Sequence, residues 1–94
     1  MELTPKTTVV QSPQIASRNI SGRMILLKAP LSTLHTLNSV GEFIWKKIEK
    51  PRTISELCDA VSDRFEMAGD QAERDIVEFI EKLHRQNLVT IKNE

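Results

Sequence analysis

Cys58, His35 and His84 are the sole cysteine and the two histidines of this 94-residue sequence, the residue types first to be weighed as nucleophile, base or nitrogen and sulfur metal ligand. A nucleophilic cysteine needs an electropositive setting and a nearby base to raise its thiolate fraction. Cys58 instead falls in register with Ile54, Leu57, Val61 and Phe65, an apolar stripe at helical spacing where a thiol behaves as a small hydrophobe. His35 and His84 stand far apart in sequence, with no accompanying cluster of Cys, Asp or Glu at ligand spacing, so a metal site lacks its ligand count. There is no glycine-rich phosphate loop and no nucleophile–base pattern. The residues point away from an enzyme and imply no cofactor. Trp45, next to Phe43 and Ile44, reads as packing area. Lys46, Lys47, Lys50 and Arg52 form the densest basic run, but Glu49 interrupts it and a solvated helix end accounts for it.

The bulk composition narrows the partners. Thirteen basic and 13 acidic side chains cancel to a net charge of zero, which weighs against the counterion-release binding that drives non-specific nucleic-acid affinity. With 39% hydrophobic and 28% charged residues the chain has the makings of one small folded core. One cysteine allows no internal disulfide. Residues 1–11 lack the basic start and apolar run of a secretory signal, so a cytoplasmic location is expected. Met24-Ile25-Leu26-Leu27, the longest apolar run, falls far short of the ~20 residues that cross a bilayer.

The elements that would position any site follow from turn chemistry and period. Residues 1–13, rich in Thr, Ser and Pro around Val9-Val10, read as an extended or mobile lead-in with little fixed structure, leaving 14–94 as the domain. Ile15 to Ile20, the turn pair Ser21-Gly22 and the buried-strand pattern Met24 to Lys28 predict a β-hairpin. Ala29 to Ser32 turns the chain around Pro30, and a third short strand covers Thr33 to Leu37. The period then changes to 3.6. One helix opens with Ser39 and Glu42 at capping-box spacing and stops at Pro51. A second opens with Thr53 and Glu56 and ends before Gly69. A third opens with Asp70 and Glu73, runs to about Gln86, and sets Ala72, Ile76, Phe79, Ile80 and Leu83 on one face. Leu88 to Ile91 forms a closing strand. The chain is one α+β domain.

Set in that order, Leu26-Leu27, Leu37-Asn38, Gly41, Ile44-Trp45, Arg52-Thr53 and Glu56-Leu57, followed by Asp75-Ile76, Phe79-Ile80, Leu83 and Leu88-Val89, make a pattern. It resembles the PqqD (coenzyme PQQ synthesis protein D) family from about Ile15 to Ile91. Each motif alone is weak, and the ordered set is specific. The resemblance implies a winged-helix-like domain, a three-stranded antiparallel sheet packed on a three-helix bundle. It also implies a non-catalytic role: binding the leader of a ribosomally made precursor peptide and presenting it to a modifying enzyme, commonly a radical S-adenosylmethionine (radical SAM) protein and in other cases a protease or another maturation enzyme.

In that family the leader adds as a strand to the third strand and lies against the third helix. Here the implied edge is Thr33, Leu34, His35 and Thr36, with no internal proline to remove a donor. On the third helix, Val77, Ile80 and His84 are the expected groove wall, because Val77 is the apolar residue that the core stripe explains least. The opposite flank, Phe79, Lys82 and Gln86, remains the other possible wall. The alternative function is a winged-helix DNA-binding domain built from the same parts. Its recognition helix would have to be basic, whereas Asp70, Glu73, Asp75, Glu78 and Glu81 outnumber Arg74, Lys82 and Arg85 there.

Overall fold

In the computed structural model, which describes residues 3–13, 15–28 and 35–93, the elements in chain order are β1 (Thr8–Gln11), β2 (Ile15–Ile20), β3 (Arg23–Lys28), β4 (His35–Leu37), α1 (Ser39–Lys47), β5 (Arg52–Thr53), α2 (Ile54–Phe65), α3 (Gly69–Arg85) and β6 (Val89–Lys92). The α+β class, the three helices and the three-stranded antiparallel sheet are present, and a second three-stranded sheet joins them. One sheet has the order β2-β3-β4 and the other the order β5-β1-β6, all antiparallel.

The β2–β3 hairpin closes through Ser21 and Gly22, both at positive φ (54° and 80°), as a two-residue type I′ connection requires. Only one face of β3 is fully buried: Met24 and Leu26 enter the core while Ile25 and Leu27 are half-buried. This is the alternation of a sheet covered on one side. The turn expected at Ala29 to Ser32 lies outside the described residues.

The lead-in expectation is corrected at Thr8–Gln11. This segment is the central strand of its sheet, with Val9 fully buried between β5 and β6. Its polar groups tie distant parts together. The Gln11 amide donates to the Ile48 carbonyl (2.9 Å), its side-chain Nε2 donates to the Trp45 carbonyl (2.7 Å), and the Ser12 amide donates to the Leu88 carbonyl (3.0 Å). Thr7, fully buried, donates its hydroxyl to Asn93 Oδ1, and its carbonyl accepts the Ile54 amide at the start of α2.

Helix boundaries follow caps, and two caps differ from expectation. Thr53 and Glu56 form the reciprocal capping box at α2. At α1 the cap is Asn38, one residue before Ser39. At α3 the helix begins at Gly69 after Ala68, which caps with no side chain, so Asp70 lies inside the first turn, where a carboxylate favours the helix dipole. The α3 C-terminus closes in a Schellman arrangement. Asn87 sits at φ 61°, its amide donates to His84, and the Leu88 amide donates to Leu83. Leu83 and Leu88 are both buried there. The core is aliphatic around Trp45, and Ala72, Ile76, Ile80 and Leu83 form the buried stripe of α3.

Two outcomes test this construction. Val9→Ala is expected to cost roughly 2–3 kcal/mol in urea unfolding, because it empties a fully buried site in a central strand. An unchanged midpoint would mean that β1 is dispensable. Glu56 is held below the ordinary carboxylate range, chiefly by the Thr53 backbone N–H. Its ionised form therefore adds stability that is complete above the unfolded carboxylate pKa and is lost as pH falls through the lower folded value. The thermal-stability gap between wild type and Glu56→Ala is expected at neutral pH and to narrow on acidification. A gap that widens in acid would contradict it.

Candidate functional site

The site begins where β4 becomes α1. Leu37 is buried and pairs with Met24, holding the three residues of β4 to β3 in the register Leu26↔His35, Ile25↔Thr36 and Met24↔Leu37. Asn38 is still extended (φ −82°, ψ −179°), and its Oδ1 accepts the Gly41 amide at 2.8 Å, so the chain enters the helix abruptly. Among the described residues no strand pairs with the outer side of β4. The edge therefore presents backbone donors and acceptors that no described strand uses.

Gly41 brings α1 close to α3. A Cβ built on Gly41 would stand 3.2 Å from Phe79 Cε1, 3.3 Å from Asn38 Oδ1 and 3.4 Å from the Leu37 Cβ, with the closest approach on the Phe79 side. Beside this contact lies an open cleft of about 360 Å³. Val40, Gly41 and Ile44 form its α1 wall; Phe79 lies across from them, with Asp75, Glu78 and Lys82 along α3. Asp75 Oδ1 accepts a hydrogen bond from Gln71 Nε2 at 2.9 Å. Since Asn38 lines the cleft and directly follows β4, strand edge and cleft are contiguous. The lining is mixed, with Val40 and Phe79 beside Asn38, Asp75, Glu78 and Lys82, which suits binding of a side chain that has both apolar and polar parts.

The expected site residues distribute as follows. His35 and Thr36 lie on β4; Thr33 and Leu34 lie outside the described residues. Val77 and His84 are half-buried on the flank of α3 away from the cleft, and Ile80, read as part of a groove wall, is instead core with no exposed surface. Phe79 and Lys82, from the opposite flank, do line the cleft, while Gln86 is the C-cap of α3. Sequence reasoning did not single out Asn38, Val40, Asp75 and Glu78 as lining. Gly41 carried a signal of its own: a glycine inside a helix costs about 1 kcal/mol relative to alanine and often marks a close approach.

The reactive side chains lie elsewhere. Burial pushes the Cys58 thiol up, with Glu73 and Asp59 adding to the effect, the reverse of what a thiolate nucleophile requires. No group of three or more His, Cys, Asp or Glu among the described residues is arranged to hold a metal ion. On α3 the exposed carboxylates Asp70, Glu73, Glu78 and Glu81 outnumber the exposed Arg74, Lys82 and Arg85, so the helix lacks the basic face that phosphate contacts use. No helix among the described residues is long and apolar enough to cross a membrane.

The sequence profile described as Coenzyme PQQ synthesis protein D (PqqD) matches residues 23–89, well over half of the chain. This chain belongs to the PqqD family. The solved structure of TbiB1 in complex with the TbiA(beta) leader peptide is similar at 25% identity and a TM-score of 0.78, covering 90% of this chain and 99% of that one. Lasso peptide synthetase B1 complexed with the leader peptide shares the fold at 18% identity and a TM-score of 0.77, over 87% of this chain and 96% of that one. No curated protein matches the chain. The match begins at Arg23, so the PqqD pattern covers β3 through the first residue of β6, including the whole of the cleft.

The packing of Phe79 on Gly41 yields a measurable coupling. Gly41→Ala alone is expected to be destabilising despite the higher helix propensity of alanine, because the new methyl meets the ring. In a Phe79→Ala background the same change is expected to be neutral or stabilising by up to about 1 kcal/mol. Additive effects in this double-mutant cycle would mean that the ring does not bear on Gly41.

Proposed function

We propose that this PqqD-family chain binds the leader segment of a ribosomally made precursor peptide as a strand added to the outer edge of β4. It then presents that peptide to a cytoplasmic modifying enzyme, a radical SAM protein or another maturation enzyme, and performs no chemistry itself. The observation that carries this reading is that the β4 edge, unpaired among the described residues, runs through Asn38 into the α1–α3 cleft. An added strand gains backbone partners along β4, and its side chains on one face recur about every 7 Å. One of them reaches the floor at Ile44 and Phe79, while its neighbours pass Asp75, Glu78 and Lys82. Backbone pairing then supplies sequence-tolerant affinity, and the cleft supplies selectivity. The leader peptide bound to the similar TbiB1 supports the reading.

The test is titration of a labelled leader peptide, taken from the precursor gene beside this chain's own, with folding followed by circular dichroism. His35→Pro is expected to abolish saturable binding while the helices remain. Phe79→Ser is expected to weaken binding roughly tenfold or more, equivalent to about 1.4 kcal/mol, and His84→Ala to leave it unchanged. Undiminished binding by a folded His35→Pro variant would exclude strand addition at β4. The reverse order of Phe79→Ser and His84→Ala would move the groove to the flank of Val77 and His84.

A further inference from the structure

The chain has three phenylalanines, and none of them is in the core, which is aliphatic around Trp45. Phe79 belongs to the cleft. Phe43 and Phe65 form a separate half-buried pair where α1 meets the end of α2, edge to face, with ring centroids 5.5 Å apart and planes at 88°. Each ring carries a cation: Lys47 Nζ lies 5.3 Å from the Phe43 centroid, and the Arg64 guanidinium lies 4.9 Å from that of Phe65. Among the described residues neither cation is ion-paired with a carboxylate. An open hollow of about 280 Å³ lies against both rings, bounded also by Ser39, Glu42 and Lys46.

On α1 this face is opposite to Gly41, Ile44 and Trp45, which turn inward, so hollow and leader cleft lie on different sides of the helix. Of the charged residues lining the hollow, Lys46 and Arg64 face one carboxylate, Glu42, and Lys47 adds a further cation over the Phe43 ring, while the exposed carboxylates of α3 lie elsewhere. Half-buried aromatics with uncompensated cations have the composition of a protein interface: aromatic and Arg anchors in the middle, and charge that steers an oppositely charged partner.

We propose that the Phe43–Phe65 face is a docking surface for the enzyme that acts on the bound peptide, engaged through an acidic surface patch whose central apolar side chain enters the hollow. This rests on the leader-binding reading above, and it adds that enzyme and leader occupy the protein together without competing. Docking is steered by Lys46, Lys47 and Arg64 and anchored on the two rings.

The experiment uses the full chain, the labelled leader peptide and the modifying enzyme encoded beside the chain's gene, with peptide and enzyme affinities measured separately. In the double variant Lys47→Glu/Arg64→Glu, leader affinity is expected to stay as in wild type while enzyme affinity falls roughly tenfold or more. Added salt is expected to weaken enzyme docking of wild type but to change the variant little. Phe43→Ser, a second variant, is expected to weaken docking and retain the salt dependence. Wild type that binds leader but not enzyme, a charge-reversed variant that docks as wild type does, or docking blocked by bound leader would each overturn the proposal. So would salt-sensitive binding of duplex DNA by the Lys47/Arg64 face in place of the enzyme. Failure of wild type to bind leader would instead remove the leader reading.

Discussion

The hydrogen bond from the Gly41 amide to Asn38 Oδ1 fixes the corner on which the rest of the site depends. It sits between the last residue of an edge strand, Leu37, and a helix whose third residue is the glycine on which Phe79 packs. An extended Asn38 turns the chain from sheet to helix with no intervening loop. The strand edge and the α1–α3 cleft therefore become neighbours within four residues of sequence. A longer connection would separate backbone pairing from side-chain selection, and each alone makes a poor peptide receptor. Sequence-independent pairing is promiscuous, and a shallow cleft of this size holds little of a ligand's surface.

The second sheet has a different task. In β5-β1-β6, the central strand β1 anchors the C-terminal end of α1 through Ile48 and Trp45, the start of α2 through Thr7, and the α3–β6 junction through Leu88. These ties are backbone carbonyls and amides that would otherwise be orphaned at helix ends. Holding the three helices in this way leaves β2-β3-β4 attached along its Met24, Leu26 and Leu37 face, with β4 outermost. One sheet stabilises the bundle, and the other ends at β4, whose outer side no described strand pairs with.

Much of this was legible in the sequence because it is written in local chemistry. Ser21-Gly22 encodes positive φ, Thr53 and Glu56 encode a cap, and the apolar period encodes the stripes of α2 and α3. The unread parts depend on distant partners. Val9-Val10 is too short to announce a strand among Thr and Pro, and its burial comes from β6, at the other end of the sequence. Asn38 and Ser39 are both good caps, and only the geometry of the preceding strand selects the first. Asn87, the left-handed residue closing α3, is also encoded locally, since asparagine tolerates positive φ better than most residues. Of the expected third strand, His35 to Leu37 is strand in the structure, but a helical wheel gives α3 two equivalent flanks. What distinguishes them is the approach of α1 at Gly41, a tertiary fact. Val77, favoured because the core stripe explains it least, is half-buried against the core, a position that a wide stripe accommodates as readily as a groove wall does.

The distribution of aromatic and reactive groups fits a protein that works by holding. Its core is filled by Leu, Ile and Val with Met24, Ala72 and one tryptophan, while every phenylalanine is left half-buried at a surface hollow. Phenylalanine in the core would add more buried area per residue. Placed at the margin it gives a rigid apolar surface with few rotamers to freeze when a partner arrives. The single thiol is treated in the opposite way, partly buried beside two carboxylates that disfavour its ionised form. Half-buried phenylalanines at surface hollows and a thiol whose ionisation is disfavoured by burial are what the proposed peptide-holding role calls for.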